Sequence, residues 1–353
     1  MEKRTVPANY MIWLSPLSAI ALTMLCGFIL FSIIGIDPFL GVYIYFVEPL
    51  TNLWSIEELI VKASPLILIA TGLSICFRAN IWNIGAEGQF VVGAIFGGMI
   101  PVMLGDWQNI LTMPAMLMMG AIGGMALATV PAFLKTRFNV NEILTSLMLV
   151  YVAQLFLDWL VRGPWRDPEG FNFPKTVSFE HFQLLDSLWD GRVHTGVFIV
   201  LCVVIAVYVL LSRTRKGYEI IVTGQAYRAA HFAGFSAHGN IWFCFLLSGA
   251  CAGLAGVIEV SGTVAQLQPN ISPGYGFTAI IVAFLGRLHP LGILFAAFVL
   301  AISYIGGEGA QIVLGLSDKT AQIFQGLLLF FILGGDSLIH YRLRVVGLFS
   351  GSK

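Results

Sequence analysis

The sequence predicts an all-α protein, a polytopic membrane bundle of about ten transmembrane helices with both termini on the cytoplasmic side. Of its 353 residues, 58% are hydrophobic and only 11% are charged, and the mean hydropathy is +0.86. A soluble domain carries about 25% charged residues, so this composition indicates a chain that lies in a lipid bilayer. Its apolar residues are gathered into about ten runs, most of them of about 17–25 residues, the length with which a helix spans a membrane, and the eighth shorter.

The apolar runs follow one another along the whole chain. They cover 13–36, 59–77, 84–104, 111–134, 143–161, 193–212, 240–260, 276–287, 290–307 and 320–338. No small-residue cleavage site follows the first run, so we interpret it as a retained span and not as a signal peptide. No stretch has the composition of a soluble domain, and the sequence therefore predicts a single transmembrane domain, 1–353.

The distribution of basic residues predicts the orientation. Of the 19 Lys and Arg residues, those on the proposed outer side are Lys62, Arg162, Arg166, Lys175, Arg192 and Lys319. The others fall on the proposed inner side, and an excess of Lys and Arg marks the cytoplasmic face of a membrane protein. The formal net charge is zero, so nothing suggests a nucleic-acid partner.

Two long connections separate the runs. The outer one, 162–192, is rich in Pro and aromatic residues and is predicted to be an extracytoplasmic loop. The inner one, 213–239, is basic and then has Ala at helical spacing between Gly224 and Gly234. This pattern predicts a short helix bounded by two glycine breakers. It lies either on its own bundle or against another protein, since small residues permit close approach.

A polar, glycine-containing stretch, 78–90, interrupts the apolar sequence between the second and third runs. Its polar residues that we expect to line a solute pathway are Asn80, Asn83, Glu87 and Gln89. Such residues are costly beside membrane-spanning sequence and are retained there mainly for function. Gly85 and Gly88 permit the irregular backbone that transport sites use. The alternative is a plain turn between two helices.

Further polar residues lie near the outer ends of other runs. Gln154 and Asp158 are four residues apart, on one face of the fifth run, and Glu259 ends the seventh, ahead of Gln266 and Gln268. Amide and carboxylate groups supply both donors and acceptors for sugars and nucleosides. The alternative is that these groups pair with nearby arginines or face water.

The string Asn83-Ile-Gly-Ala-Glu-Gly-Gln89, preceded by Pro65-Leu66 and Phe77-Arg78, resembles the permeases of ATP-binding-cassette importers. The branch that it resembles groups simple-sugar, nucleoside and branched-chain amino-acid permeases. The segment from Gly224 to Gly234 is similar to that branch's cytoplasmic coupling segment. It departs from the usual pattern at Phe235, where Ile is common, and at Ala226-Tyr227, where Asn-Pro is common.

The resemblance implies a function and a set of partners. The chain would be the permease subunit of an ATP-driven importer in a bacterial cytoplasmic (inner) membrane, moving nucleosides or, alternatively, simple sugars by alternating access. Its partners would be a cytoplasmic ATPase, a second permease that is identical or related, and an extracytoplasmic solute-binding protein. The residues expected to contact the ATPase are Gly224, Tyr227, Arg228, Ala229, Ala230 and Gly234.

Other functional classes find less support in the sequence. No Gly-x-x-x-x-Gly-Lys-Ser/Thr string occurs, so ATP must bind to another chain if it drives transport. The five cysteines lie in or beside apolar runs and indicate neither a disulfide framework nor a metal site. No catalytic grouping and no cofactor are predicted. An ion-coupled secondary transporter remains an alternative, with Glu87 as the membrane acid that would titrate.

Overall fold

The chain is mostly helical in the part that its computed structural model describes, residues 2–3, 11–105, 107, 109–189, 191–317 and 319–342. The α-helices are α1 Met11–Ile34, α2 Pro38–Val42, α3 Leu53–Arg78, α4 Ala86–Met103, α5 Thr112–Phe138, α6 Glu142–Arg162, α7 Gly196–Arg213, α8 Arg215–Gln225, α9 Tyr227–Phe232, α10 Ala237–Glu259, α11 Tyr275–Leu285, α12 Pro290–Leu314 and α13 Lys319–His340. Short π-helical or 3-10 turns occupy Tyr43–Val47, Glu48–Leu50, His181–Gln183 and Val260–Val264. Two-residue strands, β1 Glu2–Lys3 and β2 Tyr341–Arg342, pair antiparallel.

The predicted all-α class is confirmed, and each predicted apolar run coincides with a helix. Among the described residues, 8 helices are long and apolar enough to cross a membrane. The run 276–287 corresponds to α11, which has 11 residues and is about 16 Å long, roughly half of the bilayer's hydrocarbon thickness. The run 320–338 lies in α13. Both chain ends, predicted to be cytoplasmic, lie outside the described residues, and their side stays a prediction.

The described residues form two compact units. One comprises the described residues within Met1–Leu50 and Ser303–Lys353, and the other comprises those within Thr51–Ile302. In the first unit, the buried core is Phe31, Ile44, Tyr45, Ala310 and Phe324. The Tyr45 hydroxyl lies 2.6 Å from Ser303 Oγ, which satisfies both buried polar groups.

The second unit is built around α4, α5 and α10, whose backbones approach closely at glycines. An added Cβ at Gly253 would overlap the carbonyl oxygen of Gly120. One at Gly124 would overlap the carbonyl oxygen of Gly249 in the same way. Since apolar side chains gain little by leaving lipid, membrane helices associate largely through such close backbone packing. The glycines therefore hold together the helices that position the site described below.

We expect Gly253→Ala to destabilise this three-helix core by about 1–3 kcal/mol, because the helices must separate to admit the methyl group. The measurement is the temperature of half-denaturation and the yield of monodisperse protein after purification in mild detergent. Gly326→Ala is the matched control, since an added Cβ there has no atom within 4 Å. Equal stability of the two variants would contradict the packing argument.

Candidate functional site

The stretch 79–85 between α3 and α4 is a break in helical structure. The N–H of Asn80 donates to the carbonyl of Phe77 (3.1 Å), and the N–H of Ile81 donates to that of Cys76 (2.9 Å). Asn80 itself has a φ of 57°. This is a Schellman motif, in which a left-handed Asn or Gly ends a helix. Residues 78–90 therefore contain a helix end, a non-helical break and the first turn of α4.

Asn83 and Gln89 bind each other and are both buried. Asn83 Nδ2 donates to Gln89 Oε1 at 3.0 Å, and Gln89 Nε2 donates to Asn83 Oδ1 at 3.2 Å. Asn83 also donates to Ser248 Oγ on α10 and accepts from the N–H of Gly85. The paired amides thus fasten the break to α4 and α10. Their hydrogen bonds are made within the protein, which leaves solute contact to other residues.

Glu87 lies in the first turn of α4, is 1% exposed, and reaches across to α11. Its Oε2 accepts the backbone N–H of Gly276 at 2.6 Å, at the start of α11. The Ser272 hydroxyl also bonds to this carboxyl group, while Ser272 Oγ accepts the N–H groups of Gly274 and Tyr275. Negative charge is stabilised at a helix N-terminus by its free N–H groups and its dipole. Glu87 therefore sets where the short α11 begins.

A cleft of about 340 Å³ opens beside Glu87. Its lining is Glu87, Val91, Tyr151, Gln154, Leu155, Asp158, Pro269, Asn270, Ile271 and Ser272. The volume is within the range of small-molecule sites. The lining combines carboxylate, amide and hydroxyl groups with an exposed tyrosine ring. Such a set can exchange hydrogen bonds with a polyhydroxylated solute and cover one ring face.

A second cavity, of about 580 Å³, shares Pro269 and Asn270 with this cleft. Its remaining lining is Arg162, Phe173, Pro174, Lys175, Gln266 and Gln268. Arg162 pairs with Asp158 at 2.7 Å, one of the pairings that the sequence left open. Because the two cavities share Pro269 and Asn270, they are adjacent, and together they are called the groove, which lies between the predicted outer loop and Glu87.

The loop 162–192 is fixed by backbone hydrogen bonds to the segment that follows α10, residues 260–267. Thr176 N–H donates to Leu267 O, Phe179 N–H donates to Ala265 O, and Leu185 N–H donates to Ser261 O, at 2.8–3.1 Å. Near the loop's end, Arg192 Nε lies 2.8 Å from Glu58 Oε2 on α3. The loop is therefore a structured wall of the groove.

The inner segment 213–239 contains two helices where the sequence predicted one. Gly224 lies inside α8, and the chain breaks instead at Ala226, so the prediction that Gly224 is a breaker is wrong. Close packing explains the glycine at position 224, because an added Cβ would overlap the carbonyl oxygen of Arg78, the last residue of α3. The predicted stop at Gly234 is confirmed by its φ of 78°, just after α9.

The residues of α9 differ in their exposure to solvent. Tyr227, Arg228 and Ala229 are exposed, whereas Ala230 is only 3% exposed. Phe232, at the end of α9, is 90% exposed. The helix thus rests on its own chain through Ala230 and presents an aromatic and basic surface outward.

The structure separates the four predicted pathway residues. Asn83 and Gln89 pair internally, Glu87 lines the cleft, and Asn80 lines another cavity together with Gly224. Sequence reasoning identified Gln154 and Asp158 as candidates but missed Tyr151, Asn270 and Ser272. Ser272 and Asn270 lie in a turn-rich connection, where polar residues are ordinary, so only their spatial position marks them.

Comparison with known families gives one match over most of the chain. The family described as "Branched-chain amino acid transport system / permease component" matches residues 55–333. That range includes the break, the cleft and the inner segment.

Individual proteins are similar along nearly the full length. A protein of Haloferax volcanii named as a glucose ABC transporter permease is 32% identical, over 97% of this chain and 92% of its own. A nucleoside ABC transporter permease of Lactococcus lactis is 26% identical, over 90% of each. A guanosine ABC transporter permease of Bacillus subtilis is 27% identical, over 90% of this chain and 92% of its own. A solved structure described as a metal-chelate type ABC transporter in an inward-facing conformation is 16% identical with a TM-score of 0.46, over 93% of this chain and 98% of that one.

Proposed function

Since the chain belongs to the family of permease components of branched-chain amino acid transport systems, and is a multi-pass ABC-type permease of the sugar and nucleoside importers, we propose that it imports nucleosides through the groove that ends at Glu87. The chain is a transport subunit and not an enzyme. Alternating access would expose the groove first to the outer side and then to the cytoplasm.

The observation that carries this proposal is the pair of adjacent cavities, each lined by several polar side chains, between the outer loop and Glu87. A ribose ring offers hydroxyl groups to Gln154, Asp158 and Asn270, and a base can lie against the Tyr151 ring. A monosaccharide is the second candidate, supported by the 32% identity to a glucose permease against 26–27% to the nucleoside permeases. Both solutes use the same hydroxyl-binding groups.

The test of the groove is Gln154→Ala in the assembled importer reconstituted in proteoliposomes. Loss of one hydrogen bond to the moving solute should lower the maximal uptake rate about two- to tenfold. The measurement is uptake of labelled nucleoside and monosaccharide at saturating solute-binding protein. Gln322→Ala, on the exposed side of α13, is the control. Equal uptake by both variants would remove Gln154 from the solute route.

The inner segment would couple this chain to a cytoplasmic ATPase. The exposed face of α9 would bind the cytoplasmic ATPase, and the close contact of Gly224 with the end of α3 would transmit movement to the break. A second permease, identical or related, would complete the pathway, and the loop 162–192 would receive the solute-binding protein. The membrane would be the bacterial cytoplasmic membrane.

We expect Ala229→Trp to weaken binding of the ATPase, because the indole would stand on the outward face of α9. Ala230 is a poorer position for this test, since it is buried and bulk there would first displace α9 from its own chain. The measurement is the amount of ATPase that co-purifies and its solute-stimulated hydrolysis. Ala21→Trp, on the exposed side of α1, is the control. Unchanged co-purification and hydrolysis would exclude this face as the docking site.

A further inference from the structure

A separate cavity of about 480 Å³ lies at the predicted inner ends of α3, α8 and α11. Its lining is Phe77, Arg78, Asn80, Ile221, Gly224, Gln225, Arg287 and Leu288. The proposed transport mechanism assigns no ligand to this space. It lies at the other end of α3 from the outer loop, where the charge pattern places the cytoplasmic surface of the membrane.

The cavity has a positive wall. Arg78 and Arg287 both line it, and none of its described lining residues is acidic. Arg78 is held in place by a hydrogen bond from Nε to the carbonyl of Leu288 at 2.9 Å. Partial burial, and after it the nearby charge of Arg78, lower the pKa of the neighbouring His289. Two residues that carry guanidinium groups therefore line one cavity.

The backbone at Arg287 has a conformation that is unfavourable for an arginine. Arg287 N–H donates to Phe284 O, and Leu288 N–H donates to Ala283 O, which makes a second Schellman motif at the end of α11. Arg287 occupies its left-handed position with a φ of 55°, where glycine or asparagine is favoured. Leu288 follows with a φ of 56°, so this helix end contains two left-handed residues that are not glycine. Backbone strain of this kind clusters at functional sites.

We propose that this cavity binds a phosphate group between Arg78 and Arg287, supplied by the headgroup of an anionic phospholipid or by free phosphate. Guanidinium groups match the geometry of phosphate oxygens. Basic pockets between membrane helices on the cytoplasmic side commonly take lipid phosphates. Because Gly224 of the inner segment lines the same cavity, a bound phosphate would reinforce the contact between α8 and the end of α3. The inference is independent of which solute is carried.

The test uses the assembled importer in detergent and in nanodiscs, with phosphatidylglycerol, phosphatidylcholine and inorganic phosphate as probes. Native mass spectrometry counts bound phospholipid, and equilibrium dialysis with labelled phosphate measures the free anion, with sulfate as competitor. Arg287→Asn is the informative variant, because Asn accepts the left-handed backbone and preserves the helix end. Arg78→Gln is the second variant. Arg215→Gln is the control, since Arg215 is exposed and lies outside the cavity.

One supporting result is saturable binding of phosphatidylglycerol that is about fivefold weaker in each cavity variant and unchanged in Arg215→Gln. It would identify a lipid headgroup as the source of the phosphate. The same dependence for inorganic phosphate, without a preference between lipids, would support a soluble source. Binding that neither cavity variant alters would overturn the proposal. So would an absence of phosphate and lipid binding combined with loss of the ATPase in both variants, since the arginines would then contact an acidic partner surface.

Discussion

Replacing Glu87 by alanine is expected to lower solute uptake by at least about tenfold, when uptake is normalised to the amount of subunit in the membrane. The carboxylate accepts the N–H of Gly276 and the hydroxyl of Ser272, and it lines the cleft. Without it, a buried N–H at the start of α11 loses its partner, at a cost of about 1–3 kcal/mol. The start of α11 and the wall of the cleft should therefore both shift.

Glu87→Gln separates the two roles of this side chain. A glutamine carbonyl can still accept the Gly276 N–H, so α11 keeps its start while the negative charge is lost. Uptake near the wild-type rate in Glu87→Gln, with loss in Glu87→Ala, would assign Glu87 to positioning α11. Loss in both variants would assign a role to the charge itself. Glu169→Gln, in the exposed part of the outer loop, is the control, and full uptake by Glu87→Ala would refute both roles.

Gly224→Ala is expected to uncouple ATP hydrolysis from transport. The added methyl group would overlap the carbonyl oxygen of Arg78, and neither backbone can yield without separating α8 from the end of α3. Since the outward face of α9 is untouched, the ATPase should still bind and hydrolyse ATP. Solute moved per ATP hydrolysed should fall several-fold, because movement of the inner segment no longer reaches the break at 79–85.

The measurement for Gly224 is simultaneous uptake and phosphate release in the same proteoliposomes. Gly326→Ala adds the same methyl group at a helix position where no atom lies within 4 Å of it. This control should keep the wild-type ratio of solute transported to ATP hydrolysed. An unchanged ratio in Gly224→Ala would show that the contact with Arg78 does not carry the coupling. Loss of the ATPase from the complex would show instead that Gly224 shapes the docking surface.

The membrane architecture could be predicted from sequence because a bilayer imposes one simple requirement, a long apolar helix. Runs such as 59–77 and 143–161 therefore coincide with α3 and α6. The short α11 was harder to define, because its start depends on the carboxylate of Glu87, which is 189 residues away in the sequence. Gly224 was hard to interpret for the same reason. A glycine is needed there because of a close contact with α3 and not because of local turn geometry.

The candidate site was only partly predictable for a related reason. The polar string 83–89 was identified as important, yet its polar side chains divide between an internal amide pair and the wall of a cleft. The sequence shows that polar residues are costly in a membrane. It does not show which of them form their hydrogen bonds within the protein. Asn270 and Ser272 become site residues only because α11 and the outer loop bring their connection against α6.

The most direct test of the account is solute-stimulated ATP hydrolysis, measured together with uptake in proteoliposomes. They would contain this chain with the proposed ATPase and solute-binding protein, and would be challenged with nucleosides and monosaccharides. The account predicts that nucleosides or monosaccharides stimulate hydrolysis and enter the vesicles only when ATP is supplied. Uptake driven by a proton or sodium gradient in the absence of ATP would contradict it and would make Glu87 the acid of an ion-coupled transporter.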